Sequence, residues 1–282
     1  MPGIITAADI SGSLDAKNIV LGVLEQANAQ LNLGSLFTHA QVPELTATIP
    51  ISKPGSVHED LDELEVVDVE TGSFTYVDFS LKKDRVYLAR TDEAQYKSKA
   101  GDPLAIQKQS AANELNRTLD KKIITALQTS PQTADASAVW STATNSPLKD
   151  IATAVAAIYP NKPDFCLMTG EVHASYLATD AIKAVGTGNP AALAGCVGTI
   201  PGYNIPIFID SVTVTDESCT IGSAAGLACV IGDGPVKVRE WDSNQSGATM
   251  YQIDVWRQVK APIFKNGSNL NTAVYKLTNC VA

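Results

Sequence analysis

The sequence has few of the residue types on which catalysis and cross-linking depend. Only three histidines occur in 282 residues, charged residues make up 18% of the chain and aromatic residues 6%. The five cysteines contain no Cys-x-x-Cys spacing, so neither a disulfide framework nor a zinc knuckle is indicated. No apolar run approaches the ~20 residues of a membrane span, and no basic and apolar leader opens the chain. We therefore expect a folded cytoplasmic protein with no cofactor, no metal and no membrane partner.

The charge balance is acidic, with a formal net charge of −9. Binding to nucleic acid rests on clustered Lys and Arg, so this balance argues against a chain built mainly to grip nucleic acid. The low content of charge also leaves much of the surface neutral. Such a surface is compatible with extensive contacts between proteins, and equally with a soluble enzyme.

The first third of the chain combines a helical pattern with a long extended one. Apolar residues at helical spacing predict an amphipathic helix over 14–31. Alternation begins at Leu45, and residues 74–79 predict a strand that could be buried on both faces. The sequence Lys82-Lys83-Asp84-Arg85 is interpreted as a basic turn. Residues 45–98 thus form, by this interpretation, an extended β-arm.

The remainder predicts a long helix followed by mixed elements. Apolar residues three and four apart predict a helix over 103–128, and Pro147 opens a second over 148–158. A buried strand at 165–168 and a helix near 170–178 follow. Predicted strands then dominate: 205–209, 228–231, 236–241, 251–262 and 273–278. The fold class is therefore α+β.

Residues 58–72, HEDLDELEVVDVETG, raise the question of a metal site. A calcium loop alternates carboxylates with a glycine turn, whereas here apolar residues interrupt the acids and Gly72 follows the last of them. We predict instead that the arm docks on copies of the same chain through opposite charges, with a merely solvated charged hairpin as the alternative. The candidate contact residues are Glu59, Asp60, Asp62, Glu63, Glu65, Lys82, Lys83 and Arg85.

An enzyme remains a second interpretation. Residues 185–191, VGTGNPA, match the GxGxxA form of a dinucleotide-binding turn, with Asp210 placed to meet a ribose. The glycines and proline of 195–202 oppose the helix that such a turn requires, and the segment before Gly186 is interpreted as helix rather than strand. A cytoplasmic enzyme that uses the 186–202 loop for a nucleotide cofactor is kept as an alternative.

Three stretches carry a resemblance to a known family. They are GCVGTIPGYNIPIFIDSVTV at 195–214, CVIGDGPVKVREWDS at 229–243, and YQIDVWRQVKAPIFKNGSNLNTAVYKLT at 251–278. In this order, behind a terminal helix, a charged β-arm and one long helix, the sequence resembles the major capsid proteins of tailed viruses that have the HK97-like fold.

The resemblance implies a division of the chain into regions. Peripheral and axial domains are expected, with a long spine helix in the peripheral domain. The implied regions are an N-terminal arm (1–44), an extended E-loop (45–98), peripheral domain with spine helix (99–146), an axial domain (147–240) and strands that return to the peripheral domain (241–282).

The resemblance also implies a structural role without enzymatic activity. The subunit is expected to self-assemble into hexamers and pentamers of an icosahedral shell around double-stranded DNA, held by weak non-specific contact, in a virion assembled in the host cytoplasm. Because the first predicted helix lies close to Met1, a separate scaffold protein, or none, is expected; portal and decoration proteins are further expected partners. An encapsulin-like shell around protein cargo is the alternative within the same fold.

Overall fold

The computed structural model describes residues 10–11, 18–19, 21–23, 33–52, 74–91, 103–129, 131–186, 195–210, 217–243, 247–262 and 271–281. The α-helices are α1 (Pro103–Leu127), α2 (Pro147–Ile158), α3 (Gly170–Ala178) and α4 (Asp180–Val185), and residues 18, 19 and 21–23 are also helical. The strands are β1 (Ile10–Ser11), β2 (Thr38–Gln41), β3 (Thr46–Ser52), β4 (Phe74–Ser80), β5 (Lys82–Thr91), β6 (Pro131–Asp135), β7 (Phe165–Thr169), β8 (Cys196–Ile200), β9 (Ile205–Asp210), β10 (Cys219–Gly222), β11 (Val230–Ser243), β12 (Ala248–Lys260) and β13 (Asn271–Thr278).

A five-stranded sheet forms around the long antiparallel pair β11 and β12. Its order is β1-β11-β12-β5, with β2 also beside β11. The apolar stripe of α1, which includes Ala112 and Leu115, packs on Val236, Ile253 and Val255 of this sheet. The predicted long helix is confirmed, and at 1.5 Å per residue it is about 38 Å long. The opposite face of the sheet, outside the part that Phe79 and Leu81 cover, is hereafter called the open face.

A six-stranded sheet has the order β6-β13-β10-β7-β9-β8. One face packs on α2 and α3 around Trp140 and Tyr176, both fully buried. The other face turns Phe165 and Leu167 toward the second half of α1 and Phe37. Burial on both faces explains why β7 is apolar from Phe165 to Met168 and was recognisable from the sequence.

Four expectations about the elements need correction. The predicted basic turn at 82–85 lies within β5, and the predicted strands 228–231 and 236–241 are one strand, β11, with a register shift between Asp233 and Val236. Strand β4 is buried on one face only: Phe79 is 2% exposed and Tyr76 is 64% exposed. Strands β2, β6, β8 and β10 were not predicted. They are short, and short polar or Gly-containing strands carry little alternation.

The expected domain boundaries stay a prediction. Sheet membership separates two strands that fall in the expected segment 241–282: β12 pairs with β5 and β11, whereas β13 pairs with β6 and β10. Likewise β5, within the expected segment 45–98, belongs to the five-stranded sheet and not to the two-stranded sheet of β3 and β4.

Candidate assembly surface

The β3–β4 hairpin is anchored to the five-stranded sheet at its base. Phe79 and Leu81 lie directly over Gly232 and Gly234 of β11, so closely that a Cβ at Gly232 would stand 2.6 Å from the Phe79 ring. The Ser80 amide donates to Gln258 Oε1 at 2.6 Å. The absence of side chains at these two glycines therefore makes room for Phe79 and Leu81 against β11.

The acids at 59–65 proposed as contact residues, Glu59, Asp60, Asp62, Glu63 and Glu65, lie outside the described residues. The three basic candidates lie on β5 in one unbroken strand, where successive side chains point to opposite faces. Lys83 and Arg85 are on the open face, opposite Trp256 and Asp254. Lys82 is on the face that carries α1. The strand therefore divides what the sequence presented as one basic cluster.

Arg85 is paired within its own chain. Its Nε donates to Asp254 Oδ1 at 2.6 Å and its Nη2 to Asp254 Oδ2 at 3.2 Å, while Gln252 Nε2 donates to Oδ2 at 2.8 Å. Burial alone would raise the pKa of Asp254, but the hydrogen bonds from Arg85 and Gln252 outweigh it and lower this pKa. Arg85 thus offers a neighbour less net charge than the sequence indicates.

Further cations and aromatic rings share the open face. Lys237 of β11 lies opposite Asp254, and Arg239 lies opposite Gln252. The Nζ atoms of Lys83 and Lys237 are 6.0 and 5.6 Å from the centre of the Trp256 ring, within the range of cation–π attraction. Sheet register, rather than proximity in sequence, brings these residues beside Lys83.

Two aromatic side chains remain exposed next to these cations. Tyr87 and Trp241 are 53% and 40% exposed and meet edge to face, with ring centres 6.3 Å apart. The Arg85 guanidinium carbon is 5.9 Å from the centre of the Tyr87 ring. Trp, Tyr and Arg are the residues that dominate binding energy at protein interfaces. Sequence reasoning missed Lys237, Arg239 and Trp241, although VKVR at 236–239 already alternates apolar with cationic residues.

The other face of this sheet contains a buried ionic cluster that fixes β2. His39 Nδ1 is 2.5 Å from Asp233 Oδ2, and His39 Nε2 is 3.0 Å from the Gly34 carbonyl oxygen. Arg257 Nε approaches Asp233 Oδ1 to 3.0 Å without the alignment of a hydrogen bond. Burial alone would lower the pKa of His39, but the hydrogen bond to Asp233, its charge and the Gly34 carbonyl raise it overall.

The Gly-rich loop has the reverse order of a dinucleotide-binding turn. Helix α4 ends at Val185 before the loop, as predicted, and strand β8 follows at Cys196. A dinucleotide turn needs the strand first and the helix second, so that the helix N-terminus meets the pyrophosphate. Residues 187–194 lie outside the described residues.

Within the described ranges, His, Cys, Asp and Glu form no group that could hold a metal ion, and no helix is both long and apolar enough to cross a membrane.

The sequence matches no protein-family model and no curated protein. Solved structures do match it. A virus-like particle from Pyrococcus furiosus superposes with a TM-score of 0.61 at 9% identity, over 94% of this chain and 100% of that one. The holo-SrpI encapsulin complex from Synechococcus elongatus PCC 7942 gives 0.62 at 12% identity, over 88% and 86%. The capsid of a native GTA particle gives 0.60 at 11% identity, over 91% of each chain.

These likenesses extend over most of the chain and define its class. The protein has the HK97-like fold, in an α+β arrangement, as the resemblance implied. The three structures come from a virus-like particle, an encapsulin complex and the capsid of a GTA particle.

Proposed function

We propose that this chain is a structural subunit that assembles with copies of itself into a closed shell. The observation that carries the proposal is the superposition on shell proteins over 88–94% of the chain. A shell needs no strong single contact, because many weak ones between copies add up through multivalency. Electron microscopy of the purified protein tests this: closed regular particles are expected, and a monodisperse monomer would overturn it.

Within that class we propose the major capsid subunit of a tailed virus, built into hexamers and pentamers around double-stranded DNA. The structure of a Mycobacterium phage, Che8, is among the similar ones, with a TM-score of 0.53 at 16% identity over 85% of this chain. The likeness to the encapsulin complex favours the second candidate, a compartment shell around protein cargo. Shells from the producing cells, treated with nuclease and then opened, separate the two: protected DNA supports a capsid, and a bound enzyme supports a compartment.

We further propose that the open face receives the acidic arm of a neighbouring subunit. Lys83, Lys237 and Arg239 provide the positive charge, and the exposed rings of Tyr87 and Trp241 provide apolar area that a partner could cover. Lys82 is not part of this contact, because it lies on the α1 face, and Arg85 contributes mainly through its pair with Asp254. The acids of the arm would meet these cations across subunits.

Charge reversal tests this contact. Lys237→Glu with Arg239→Glu should abolish assembly, and adding Glu59→Lys, Asp60→Lys and Asp62→Lys in the same chain should restore it, because the attraction is re-formed with inverted signs. Light scattering over a salt series measures both, since exposed charges are screened by salt.

The matched control is Lys149→Glu with Lys162→Glu, two exposed lysines elsewhere on the chain. This control changes the net charge equally and should assemble like the parent protein. If the control fails to the same degree, or if the restored variant stays unassembled while its circular dichroism is that of the parent, the arm does not dock on the open face.

We assign the regions of the chain accordingly. The peripheral domain would be the five-stranded sheet with α1 as its spine, and the axial domain would be the six-stranded sheet, which includes β13, with α2 and α3. The extended loop would be β3, β4 and the segment between them.

A further inference from the structure

A groove of about 480 Å³ lies on the side of the molecule that carries α1, between this helix and the end of β12. Successive turns of α1 contribute Thr118, Lys121, Lys122 and Thr125, and strands β5 and β12 contribute Lys82 and Lys260. Lys82 enters the groove because β5 pairs it with Arg257, on the face opposite Lys83. Four lysines thus converge from three elements that are far apart in sequence.

The groove is strongly positive in a protein that is acidic overall. Its lining contains no Asp or Glu. Lys122 is neutralised by Asp84, whose Oδ2 is 2.5 Å from its Nζ, and it also donates to the Arg257 carbonyl oxygen at 3.1 Å. The ammonium groups of Lys82, Lys121 and Lys260 have no carboxylate partner among the described residues. Three positive charges therefore remain for a ligand.

The residue types in the groove distinguish it from the open face. Its available cations are lysines, whose ammonium groups act as compact point charges, whereas the open face combines cations with exposed aromatic rings. The lining contains no aromatic side chain on which a base could stack. The guanidinium of Arg257, which could bind a carboxylate bidentately, is buried against Asp233. Such a lining suits phosphate groups read by charge alone.

We propose that this lysine groove binds the phosphate backbone of double-stranded nucleic acid, without regard to sequence. The choice of nucleic acid over other phosphates rests on the proposed function, in which the shell encloses double-stranded DNA. The bound phosphates would neutralise the ammonium groups of Lys82, Lys121 and Lys260.

The test uses the full-length subunit, kept dilute and unassembled, and a labelled double-stranded DNA of random sequence. Fluorescence anisotropy measures the affinity over a salt series for the parent protein and for the triple variant Lys82→Gln, Lys121→Gln, Lys260→Gln. Each phosphate contact contributes about 0.9 to the slope of log affinity against log salt concentration, so the variant should lose about 2.7 from this slope. Lys122 is left unchanged because it is tied to Asp84.

The charge-matched control replaces three exposed lysines elsewhere, Lys149→Gln, Lys162→Gln and Lys183→Gln. This control should keep most of the slope of log DNA affinity against log salt concentration. Equal losses of slope in the two variants would overturn the proposal. Two competitors of DNA, inorganic phosphate and a peptide of this chain, test for other ligands of the groove. Displacement of the DNA by inorganic phosphate, but not by chloride of the same ionic strength, would show a site for single anions. Binding of a synthetic 58–72 peptide that the groove variant loses, with DNA affinity unchanged, would assign the groove to a second copy.

The outcome is separable from that of the proposed function. The parent protein could form no shells while the groove variant still shows a smaller slope of log DNA affinity against log salt concentration. This result would refute the shell but retain the groove as a phosphate site. If the groove variant forms normal shells and binds DNA with the affinity of the parent protein, the shell proposal is retained and the groove is refuted as a phosphate site.

Discussion

The two large sheets of this protein are stabilised in different ways. In the six-stranded sheet, Trp140 and Tyr176 are buried among aliphatic side chains, and the nearby Asp150 accepts hydrogen bonds from the Trp140 indole at 2.9 Å and from the Ser137 amide at 3.1 Å. The five-stranded sheet buries His39, Asp233 and Arg257 as an ionic cluster. One interior is thus mainly apolar with a satisfied carboxylate, and the other depends on paired charges.

The five-stranded sheet also carries charge on its outer surfaces. The five-stranded sheet carries cations on both sides: Lys83, Lys237 and Arg239 on the open face, and Lys82 and Lys260 in the lysine groove. A sheet that has charges inside and outside can change its contacts with salt and pH, because ionic contacts respond to both. We therefore expect contacts made by the five-stranded sheet to depend on salt and pH.

The same substitution in the two sheets should give the largest contrast. Trp140→Ala removes a fully buried side chain and leaves Asp150 Oδ2 without its indole donor, so we expect a loss of about 3–5 kcal/mol in the free energy of unfolding. Trp241→Ala, at a position that is 40% exposed, should cost less than about 1 kcal/mol but weaken assembly. Urea denaturation of the unassembled subunits measures the first effect, and light scattering the second. Equal losses of stability would contradict the comparison.

Removal of one charge from the ionic cluster should have the next largest effect. Arg257→Met leaves Asp233 buried with His39 as its only cationic neighbour in the cluster, and we expect about 3 kcal/mol of destabilisation. The control is Arg117→Gln, since Arg117 and Glu114 form an exposed pair 3.9 Å apart that should contribute less than about 0.5 kcal/mol. A cost for Arg257→Met as small as that of the control would mean that the cluster does not stabilise the sheet.

Elements with strong periodicity were predictable from the sequence, and those defined by distant pairing were not. Helix α1 and strand β7 were found close to their observed bounds, because their apolar residues repeat every three to four positions in one and continuously in the other. The basic segment 82–85 was interpreted as a turn since four charged residues in a row carry no alternation. Only its pairing with β12, about 170 residues away, makes it a strand.

The candidate surface was predictable only in part for the same reason. Lys83 and Arg85 could be selected because they are close in sequence to the acidic run. The β11–β12 register places Lys237 and Arg239 beside them, and the ion pair with Asp254 reduces the net charge that Arg85 offers to a partner. Nothing in the local sequence identifies which lysine lies on which face until the neighbour strand is known.

The smallest expected effect is a dependence of stability on pH that separates the two sheets through their histidines. His39 lies between Asp233, the Gly34 carbonyl oxygen and, further off, Arg257, and its pKa is raised in the folded state. Its contribution to stability is therefore complete below the ordinary histidine pKa of about 6.5 and is lost as the pH rises through the raised value.

His173 on α3, beside the six-stranded sheet, provides the control. Burial lowers its pKa, so its contribution is present above the ordinary pKa and is lost as the pH falls through the lowered value. Urea denaturation between about pH 5 and 9 should then show that His39→Gln removes part of the loss at alkaline pH, while His173→Gln changes the acid side. If the loss of stability at alkaline pH is the same in His39→Gln as in the parent protein, the deprotonation of His39 does not cause that loss.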